Sequence, residues 1–192
     1  MAKARVVAAG TRFFIGFGFR PDSELHRFYH EINDELFARY GVPRLSQTHA
    51  PHLTVCPPPM PGDPLGDVEE AASRLVSVGR TLPALAPLID GWGWFGSNSA
   101  NLHLRVVESS DFQKVFNRLV KAMRGLLSPN KPYLPHVSFA RWLSPGDRLR
   151  AAQYIESRPP IPFTHLALDE LTLFVKHNRG YRPHTSVSLP TT

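Results

Sequence analysis

Two short segments of the chain repeat one pattern of chemically active residues. Residues 51–55 (Pro-His-Leu-Thr-Val) and 135–139 (Pro-His-Val-Ser-Phe) each run proline, histidine, apolar residue, hydroxyl residue, apolar residue. Histidine can exchange a proton near neutral pH, and a hydroxyl group beside it can hold an oxygen atom by hydrogen bonding. One copy is therefore half of an acid/base site, and two copies that face each other would complete it.

Each segment is predicted to be a β-strand, in which successive side chains point to opposite faces. His52 and Thr54 then share one face, and His136 and Ser138 share the equivalent face of the second strand. A single histidine at a strand end is commonly structural, and the chain has nine histidines. The pairing of the two segments, rather than either histidine alone, indicates a functional site.

Similar elements surround the two segments, as hydrophobic spacing and capping residues predict. The first half is predicted to hold a strand, two helices and a hairpin around the first segment, at 12–19, 22–40 (stopped by Gly41), 67–79, and 84–95 with 102–107 around a turn at 96–98. The second half is predicted to hold a helix capped by Ser110, a short helix after Ser144-Pro145, and strands at 166–175 and 185–189 around a turn at 178–180.

This twofold repeat predicts an α+β fold with two pseudo-symmetric lobes. Each lobe is expected to be an antiparallel β-sheet with helices packed on its outer side, and the active-site cleft is expected between the lobes. We interpret residues 1–192 as one bilobal domain with motif-bearing halves at about 1–108 and 109–192. An exchange of terminal strands between the lobes is compatible with this division.

The composition is ordinary for a soluble protein, and its net charge favours an anionic partner. The chain is 42% hydrophobic and 20% charged with a mean hydropathy of -0.20, and it has no apolar run long enough to cross a bilayer. The single cysteine, Cys56, excludes an internal disulfide and is typical of a reducing compartment. The net charge of +6 favours a nucleotide or RNA partner. We expect a cytoplasmic protein that does not associate with membranes.

Other site chemistries fit the sequence less well. His49, His52 and His103 could be imagined around zinc, but the His-Glu-x-x-His motif is absent and no acidic residue lies close to either segment. The Gly-x-Ser-x-Gly motif of serine hydrolases and the glycine loop with lysine of nucleotide triphosphatases are also absent. A lone cysteine such as Cys56 is more typical of a small buried hydrophobe than of a nucleophile. We expect no metal and no cofactor.

The two segments resemble the paired His-x-Thr/Ser-x motifs of the 2H phosphoesterase superfamily, which includes the bacterial 2′-5′ RNA ligase and 2′,3′-cyclic phosphodiesterase group. The motifs here are residues 52–55 and 136–139, and weaker matches at 12–15, 93–96 and 180–181 extend the similarity over nearly all of the chain. The resemblance implies hydrolysis of a 2′,3′-cyclic phosphate to a 2′-phosphomonoester without a metal, and the reverse 2′-5′ ligation of RNA.

The resemblance also implies roles for individual residues. It makes His52 the acid and His136 the base, although the sequence alone is symmetric on this point. Thr54 and Ser138 would donate hydrogen bonds to phosphoryl oxygens. Arg141 would contact phosphate or base, but it lies five residues after His136, so the strand must end or bulge for both side chains to share a face. The aromatic candidates for stacking a base are Phe14, Trp92, Trp94, Tyr133 and Tyr181.

The expected partner is RNA or an oligonucleotide with a 2′,3′-cyclic phosphate end, or a small cyclic nucleotide, bound by a monomer. Residues 56–59 (Cys-Pro-Pro-Pro) depart from the Leu/Phe-rich stretch that is common in the family, so the substrate preference stays open. An ADP-ribose cyclic phosphate and a 2′-5′ oligoadenylate are alternative substrates. A nucleotide- or RNA-binding module without turnover is the alternative from another functional class.

Overall fold

The structure, a computed structural model, describes residues 11–59, 66–96, 100–127 and 134–190. The elements in these ranges follow the order β1 (Phe13–Gly18), α1 (Glu24–Tyr40), a 3₁₀ turn (Leu45–Gln47), β2 (His52–Cys56), α2 (Val68–Gly79), β3 (Ile89–Phe95), β4 (Ala100–Val106), α3 (Ser110–Ala122), β5 (His136–Leu143), α4 (Pro145–Glu156), β6 (Glu170–His177) and β7 (Gly180–Ser188). No helix in these ranges combines the length and the apolar character that a membrane span requires.

The strands form one antiparallel sheet in the order β3-β4-β5-β2-β1-β6-β7. The two motif strands, β2 and β5, lie side by side at its centre and are joined by one register pair, Leu53 with Val137. Helices α1 and α4 pack together on the β4–β5 side, and α2 and α3 pack together on the side of β2, β6 and β7. The predicted α+β fold, with an antiparallel set of strands and its own helices on each side of a central site, is confirmed.

Each side of the sheet combines early and late parts of the sequence. Strand β1 pairs with β2 on one edge and with β6 on the other, and α1 packs against α4. The late hairpin β6–β7 therefore completes the side that holds β1 and β2, while the middle hairpin β3–β4 completes the side that holds β5. The boundary near residue 108 separates halves of the sequence, whereas the two sides of the sheet exchange whole hairpins.

Most of the helix ends lie where capping chemistry predicts them. Ser23 accepts a hydrogen bond from the backbone N–H of His26 at the start of α1, and Gly41 ends this helix with a φ of 69°. The cap of α3 is one residue earlier than predicted, because the hydroxyl of Ser109 accepts from the N–H of Phe112 and Ser110 is already helical. Helix α4 has 12 residues and is longer than the short helix expected there.

The bounds of three strands differ most from the prediction. Strand β6 covers Glu170–His177 instead of 166–175, and the other two differences involve prolines. Strand β3 begins at Ile89 instead of residue 84, because Pro87 has no N–H to donate and the preceding stretch makes only two isolated bridges, Leu85 with Leu168 and Leu88 with His165. Strand β7 begins at Gly180 instead of residue 185 and contains Pro183, which is tolerated because β7 lies at the edge of the sheet. A proline thus shortens one predicted strand, while the edge position lets another continue.

Gly180 lies where the β6–β7 hairpin closely approaches the loop before β2. A Cβ atom at this position would collide with the carbonyl oxygen of Thr48, which accepts a hydrogen bond of 3.2 Å from the N–H of Tyr181. We expect Gly180→Ala to lower the free energy of unfolding by about 1–3 kcal/mol, because the two backbones must move apart. Thermal unfolding measures the change. Gly146→Ala is the control, since a Cβ there meets nothing closer than 3.8 Å, and equal melting temperatures for the two variants would contradict the close approach.

Candidate active site

A cavity of about 350 Å³ opens at the junction of the two motif strands. Its wall combines imidazole, hydroxyl and guanidinium groups with apolar side chains. It is lined by Phe14, His49, His52, Thr54, Pro57, Pro58, Phe95, Leu134, His136, Arg141 and Tyr181. Both motif histidines therefore face one cavity of a size that suits a small ligand.

The register of the central strands explains how the two motifs meet. Because Leu53 pairs with Val137 in an antiparallel ladder, His52 lies across from Ser138 and Thr54 lies across from His136. The two histidines are thus diagonal neighbours, a relation that spans about 7–8 Å in antiparallel sheets. Both side chains can reach a single phosphoryl group placed between them.

Backbone carbonyls fix the proton positions of both imidazoles. Nδ1 of His52 lies 2.8 Å from the carbonyl oxygen of Ala50, and Nδ1 of His136 lies 2.7 Å from that of Leu134. A carbonyl oxygen only accepts, so Nδ1 carries the proton and donates it in both residues. Nε2 is therefore the nitrogen of each ring that takes up or releases a proton during a reaction.

Burial and a neighbouring cation keep both imidazoles neutral in the cavity. Burial lowers the pKa of His52 to about 3, and the charge of Arg141 adds to this effect. Burial is also the largest cause of the lowered pKa of His136, with Arg141 a smaller one. An anion bound between the two rings would act in the opposite direction and raise both pKa values, because it stabilises imidazolium.

A bulge in β5 brings Arg141 to the face of the motif residues. On β4, His103 pairs with Ser138, and its neighbour Leu102 pairs with Ala140. One step along β4 therefore corresponds to two steps along β5, so β5 contains one extra residue at this point. The extra residue shifts the side-chain alternation by one position. Arg141 consequently lines the cavity although it lies five residues after His136. The sequence requires an end or a bulge of this strand for the two side chains to share a face, and the strand contains a bulge.

Ser138 occupies a different position from its counterpart Thr54. Thr54 lines the cavity, whereas Ser138 is only 8% exposed and does not belong to the wall. The hydroxyl of Ser138 accepts a hydrogen bond of 3.3 Å from Nη2 of Arg141. In this arrangement Ser138 holds the guanidinium group, and the correspondence between the two motifs is incomplete.

Two of the five aromatic candidates line the cavity. The ring of Phe14 lies 4.7 Å from that of His52 and 5.0 Å from that of Tyr181, measured between ring centroids. Together Phe14 and Tyr181 form an aromatic wall beside His52. The position of Tyr133 lies outside the described residues.

The two tryptophan candidates lie on the opposite face of the sheet. Trp92 pairs with Leu104 and Trp94 pairs with Leu102, and both leucines are fully buried on the helix-facing side. Trp92 accordingly packs against core phenylalanines such as Phe139, and Trp94 lies against the guanidinium group of a residue in α4. The register of β3 against β4 thus turns both tryptophans away from the cavity, and neither lines its wall.

Sequence reasoning missed His49, Phe95 and Leu134 as members of the wall. Leu134 lines the cavity next to the second motif and also supplies the carbonyl that orients His136. Phe95 stacks on His103 at 3.9 Å, and both rings contact His136. The adjacency of Leu134 to the motif could have drawn attention to it, whereas Phe95 depends on a register that the sequence does not reveal.

The residues imagined around zinc are divided between the two motifs. His49 lies beside His52, with 6.3 Å between ring centroids, while His103 lies beside His136 at 5.2 Å. Within the described ranges, no three side chains of histidine, cysteine, aspartate or glutamate come together as a metal-binding group would require. Cys56 is fully buried, and burial raises its pKa to about 12, so its thiol is not activated as a nucleophile.

Comparison with known proteins places this fold and site in a family. The chain matches the family model of the 2′-5′ RNA ligase superfamily over residues 21–180, while no curated protein matches it by sequence. The crystal structure of TT0787 of Thermus thermophilus is similar with a TM-score of 0.65 and 18% identity, over 93% of this chain and 97% of the other. That of E. coli LigT complexed with 3′-AMP has a TM-score of 0.58 and 22% identity, over 93% of this chain and 98% of the other. The chain therefore belongs to the 2′-5′ RNA ligase superfamily of 2H phosphoesterases.

Proposed function

We propose that this protein is a metal-independent phosphodiesterase that opens a terminal 2′,3′-cyclic phosphate of RNA to a 2′-phosphomonoester. The observation that carries the proposal is the pair of imidazoles in one cavity, each oriented by a backbone carbonyl through Nδ1. Membership of the superfamily supports phosphoester chemistry. Structures of E. coli LigT complexed with 3′-AMP and with phosphate support a nucleotide as the occupant of the cavity.

In the proposed reaction, water attacks phosphorus and the bond from phosphorus to the 3′ oxygen breaks. His136 acts as the base and takes a proton from water at Nε2, while His52 acts as the acid and gives a proton to the departing 3′ oxygen. Arg141 and Thr54, which line the same cavity, donate hydrogen bonds to the non-bridging oxygens as negative charge develops there. His136 gains the proton that water loses, and His52 loses the proton that the 3′ oxygen gains. Before the next turnover His136 releases its proton to solvent and His52 takes one up, which restores the starting states.

The same groups would also catalyse a 2′-5′ ligation, in which the cyclic phosphate is opened by a different nucleophile. A 5′-hydroxyl end of RNA that replaces water as the nucleophile loses its proton to the same base and forms a 2′-5′ linkage. Water is present at far higher concentration than any RNA end, so hydrolysis is the expected outcome in dilute solution. Ligation requires that the second RNA end be held at the cavity.

The pH dependence is expected to differ between the free protein and its substrate complex. Turnover needs one protonated and one neutral imidazole, and the pKa values of His52 and His136 are both lowered from 6.5. Because kcat/KM reports the free protein, its optimum is expected below pH 6.5. The optimum of kcat is expected at higher pH, since the bound phosphate anion raises both pKa values. Initial rates across the pH range measure both profiles, and coincident optima near neutral pH would contradict the assignment.

The proposal is tested with nucleoside 2′,3′-cyclic phosphates in the presence of a chelator. We expect conversion to the 2′-monophosphate, which phosphorus NMR distinguishes from the 3′ isomer, and loss of conversion in His52→Ala and in His136→Ala. Binding without hydrolysis, unaltered by either substitution, would instead support a binding module without turnover. An ADP-ribose cyclic phosphate and a 2′-5′ oligoadenylate, tested with the same variants, separate the alternative substrates.

A further inference from the structure

Two cationic residues, Arg12 and Lys176, lie in one row with Tyr181 of the cavity wall. Phe13 pairs with Val175 in the ladder between β1 and β6, so the residue before Phe13 lies across from the residue after Val175. The backbone N–H of Lys176 accordingly donates to the carbonyl oxygen of Arg12 at 2.8 Å. On the other side, Lys176 pairs with Tyr181 of β7. We call these three residues the cationic row.

Strand alternation places the cationic row on the face of the sheet that carries the cavity. Arg12 and Lys176 are each two residues from a member of the stacked pair Phe14 and Phe174, and residues two apart on a strand share a face. Phe14 and Tyr181 both line the cavity. Nζ of Lys176 lies 5.2 Å from the centroid of the Tyr181 ring. Burial raises the pKa of Tyr181, and the positive charge of Arg12 opposes this effect, so both cations lie close to the phenol.

The two cations of the row have no carboxylate partner among the described residues. The ion pairs within these ranges include neither Arg12, which is half-buried, nor Lys176, which is exposed. Their charges add to that of Arg141. Lys176 and Arg141 both lower the pKa of His49, and Arg12 and Arg141 both lower that of Tyr181. Because these like charges lack a counterion in the protein, an anion bound beside the row would be stabilised.

The aromatic wall separates the cationic row from the catalytic histidines. The ring of Phe14 lies 4.7 Å from that of His52 on one side and 5.0 Å from that of Tyr181 on the other, measured between centroids. A nucleotide of RNA carries phosphate at two places, the 2′,3′ edge and the 5′ carbon of its ribose. When the first phosphate lies between the histidines and the nucleoside lies against the wall, the second can reach the far end of the wall, where the row lies.

We propose that Arg12 and Lys176 bind the phosphate on the 5′ carbon of the nucleotide that carries the cyclic phosphate. Guanidinium and ammonium groups both form charge-assisted hydrogen bonds to phosphate oxygens. The inference rests on the proposed function, which places the cyclic phosphate between the two histidines. The preferred substrate then has phosphate on both sides of its terminal nucleoside, as an RNA end does and a nucleoside 2′,3′-cyclic phosphate does not.

The test compares adenosine 2′,3′-cyclic phosphate with and without a 5′-phosphate, so that base and sugar stay constant. We expect kcat/KM to be about tenfold higher with the 5′-phosphate, the effect of one charge-assisted hydrogen bond. The gain should lie in KM, because the 5′-phosphate is remote from the reacting bonds and is bound equally in the ground state and the transition state. It should shrink as the salt concentration rises.

A dinucleotide with the same terminal adenosine 2′,3′-cyclic phosphate distinguishes the two sources of this phosphate. Its 5′ phosphate is a diester, the form found in RNA. We expect it to share the gain of the 5′-phosphorylated mononucleotide. A gain confined to the monoester would instead identify a 5′-phosphorylated mononucleotide as the ligand of the cationic row.

Substitution of the two cations shows whether the row is the cause of the preference. Arg12→Gln and Lys176→Gln should each lower the ratio of the two kcat/KM values, and the double variant should bring it near one. Arg182→Gln is the matched control. Arg182 follows Tyr181 in β7 and is exposed, but it pairs with Val175, which packs against the core on the other face of the sheet. The same loss of charge should there leave the ratio unchanged. A wild-type ratio near one, a ratio that persists in the double variant, or an equal fall in Arg182→Gln would overturn the proposal.

Calorimetric binding of adenosine 2′-monophosphate and adenosine 2′,5′-bisphosphate separates this inference from the proposed function. If no cyclic substrate is hydrolysed, the phosphodiesterase proposal fails, while the ratio of the two dissociation constants still decides the role of the cationic row. We expect tighter binding of the bisphosphate and loss of this difference in the double variant of Arg12 and Lys176. Equal affinities in the wild type would reject the role of the row whatever the result of the hydrolysis assay.

Discussion

Substitution of His136 by alanine is expected to lower kcat on a nucleoside 2′,3′-cyclic phosphate by about 10² to 10⁴. The imidazole is oriented by the carbonyl of Leu134 and is flanked by the rings of Phe95 and His103. His103 is also an imidazole, but it is only 3% exposed and does not line the cavity, so we do not expect it to replace His136 as the base. The affinity for the 2′-monophosphate should change far less than kcat, because Arg141 and Thr54 remain in the cavity wall. Steady-state kinetics and calorimetry measure the two effects.

The corresponding variant of His52 and the double variant sharpen this test. His52→Ala is expected to cause a loss of similar size, and the double variant should be little worse than either single variant, because an acid and a base that act in one step are not additive. His165→Ala, a substitution at the exposed surface, serves as the control. Activity within a few-fold of the wild type in either single variant would rule out two-histidine catalysis in this cavity.

Substitution of Arg141 by methionine is expected to lower kcat/KM by about 10² to 10³, the usual effect of removing one donor to a developing oxyanion. The same change should raise the pKa values of His52 and His136, since the positive charge of Arg141 contributes to lowering both. The optimum of kcat/KM should therefore move to higher pH while the maximal rate falls. NMR titration of the imidazole protons checks the shift independently of turnover.

Two further variants separate the roles of charge and geometry at residue 141. Arg141→Lys keeps the positive charge but loses the planar fork of donors, so it should preserve the low pKa values of the histidines and recover only part of the activity. Arg118→Met removes an arginine that hydrogen-bonds to Thr81 outside the cavity and should leave both properties unchanged. If the pH profile of Arg141→Met were the same as that of the wild type, the guanidinium group would not be a cause of the low pKa values of the two histidines.

Much of the fold is predictable because its helices and central strands follow local rules. The cap at Asp67 and the glycine at position 41 fix helix ends within their own neighbourhoods, and alternation places His52 and Thr54 on one face of a strand. The sheet order is not local, however. Nothing near β1 in sequence indicates that it pairs with the distant strand β6. The sequence is therefore compatible with an exchange of hairpins between the two sides but does not predict it.

The residues of the site also fall into two groups, those that the sequence predicts and those that depend on non-local pairing. The motif pair is visible in the sequence because it repeats, whereas membership of the wall depends on the register between strands. A shift of one residue decides that Arg141 faces the cavity, and pairing with Leu102 decides that Trp94 faces away.

The single register pair between the motif strands gives the active site a mechanical property. One histidine is carried by each side of the sheet, and the two motif strands share a single register pair, Leu53 with Val137, both of which are fully buried. Each histidine is the immediate neighbour in sequence of one member of this pair. The packing of two apolar side chains in the core therefore sets the separation of the two imidazoles, and a substitution at either of them would alter the site without touching a residue of its wall.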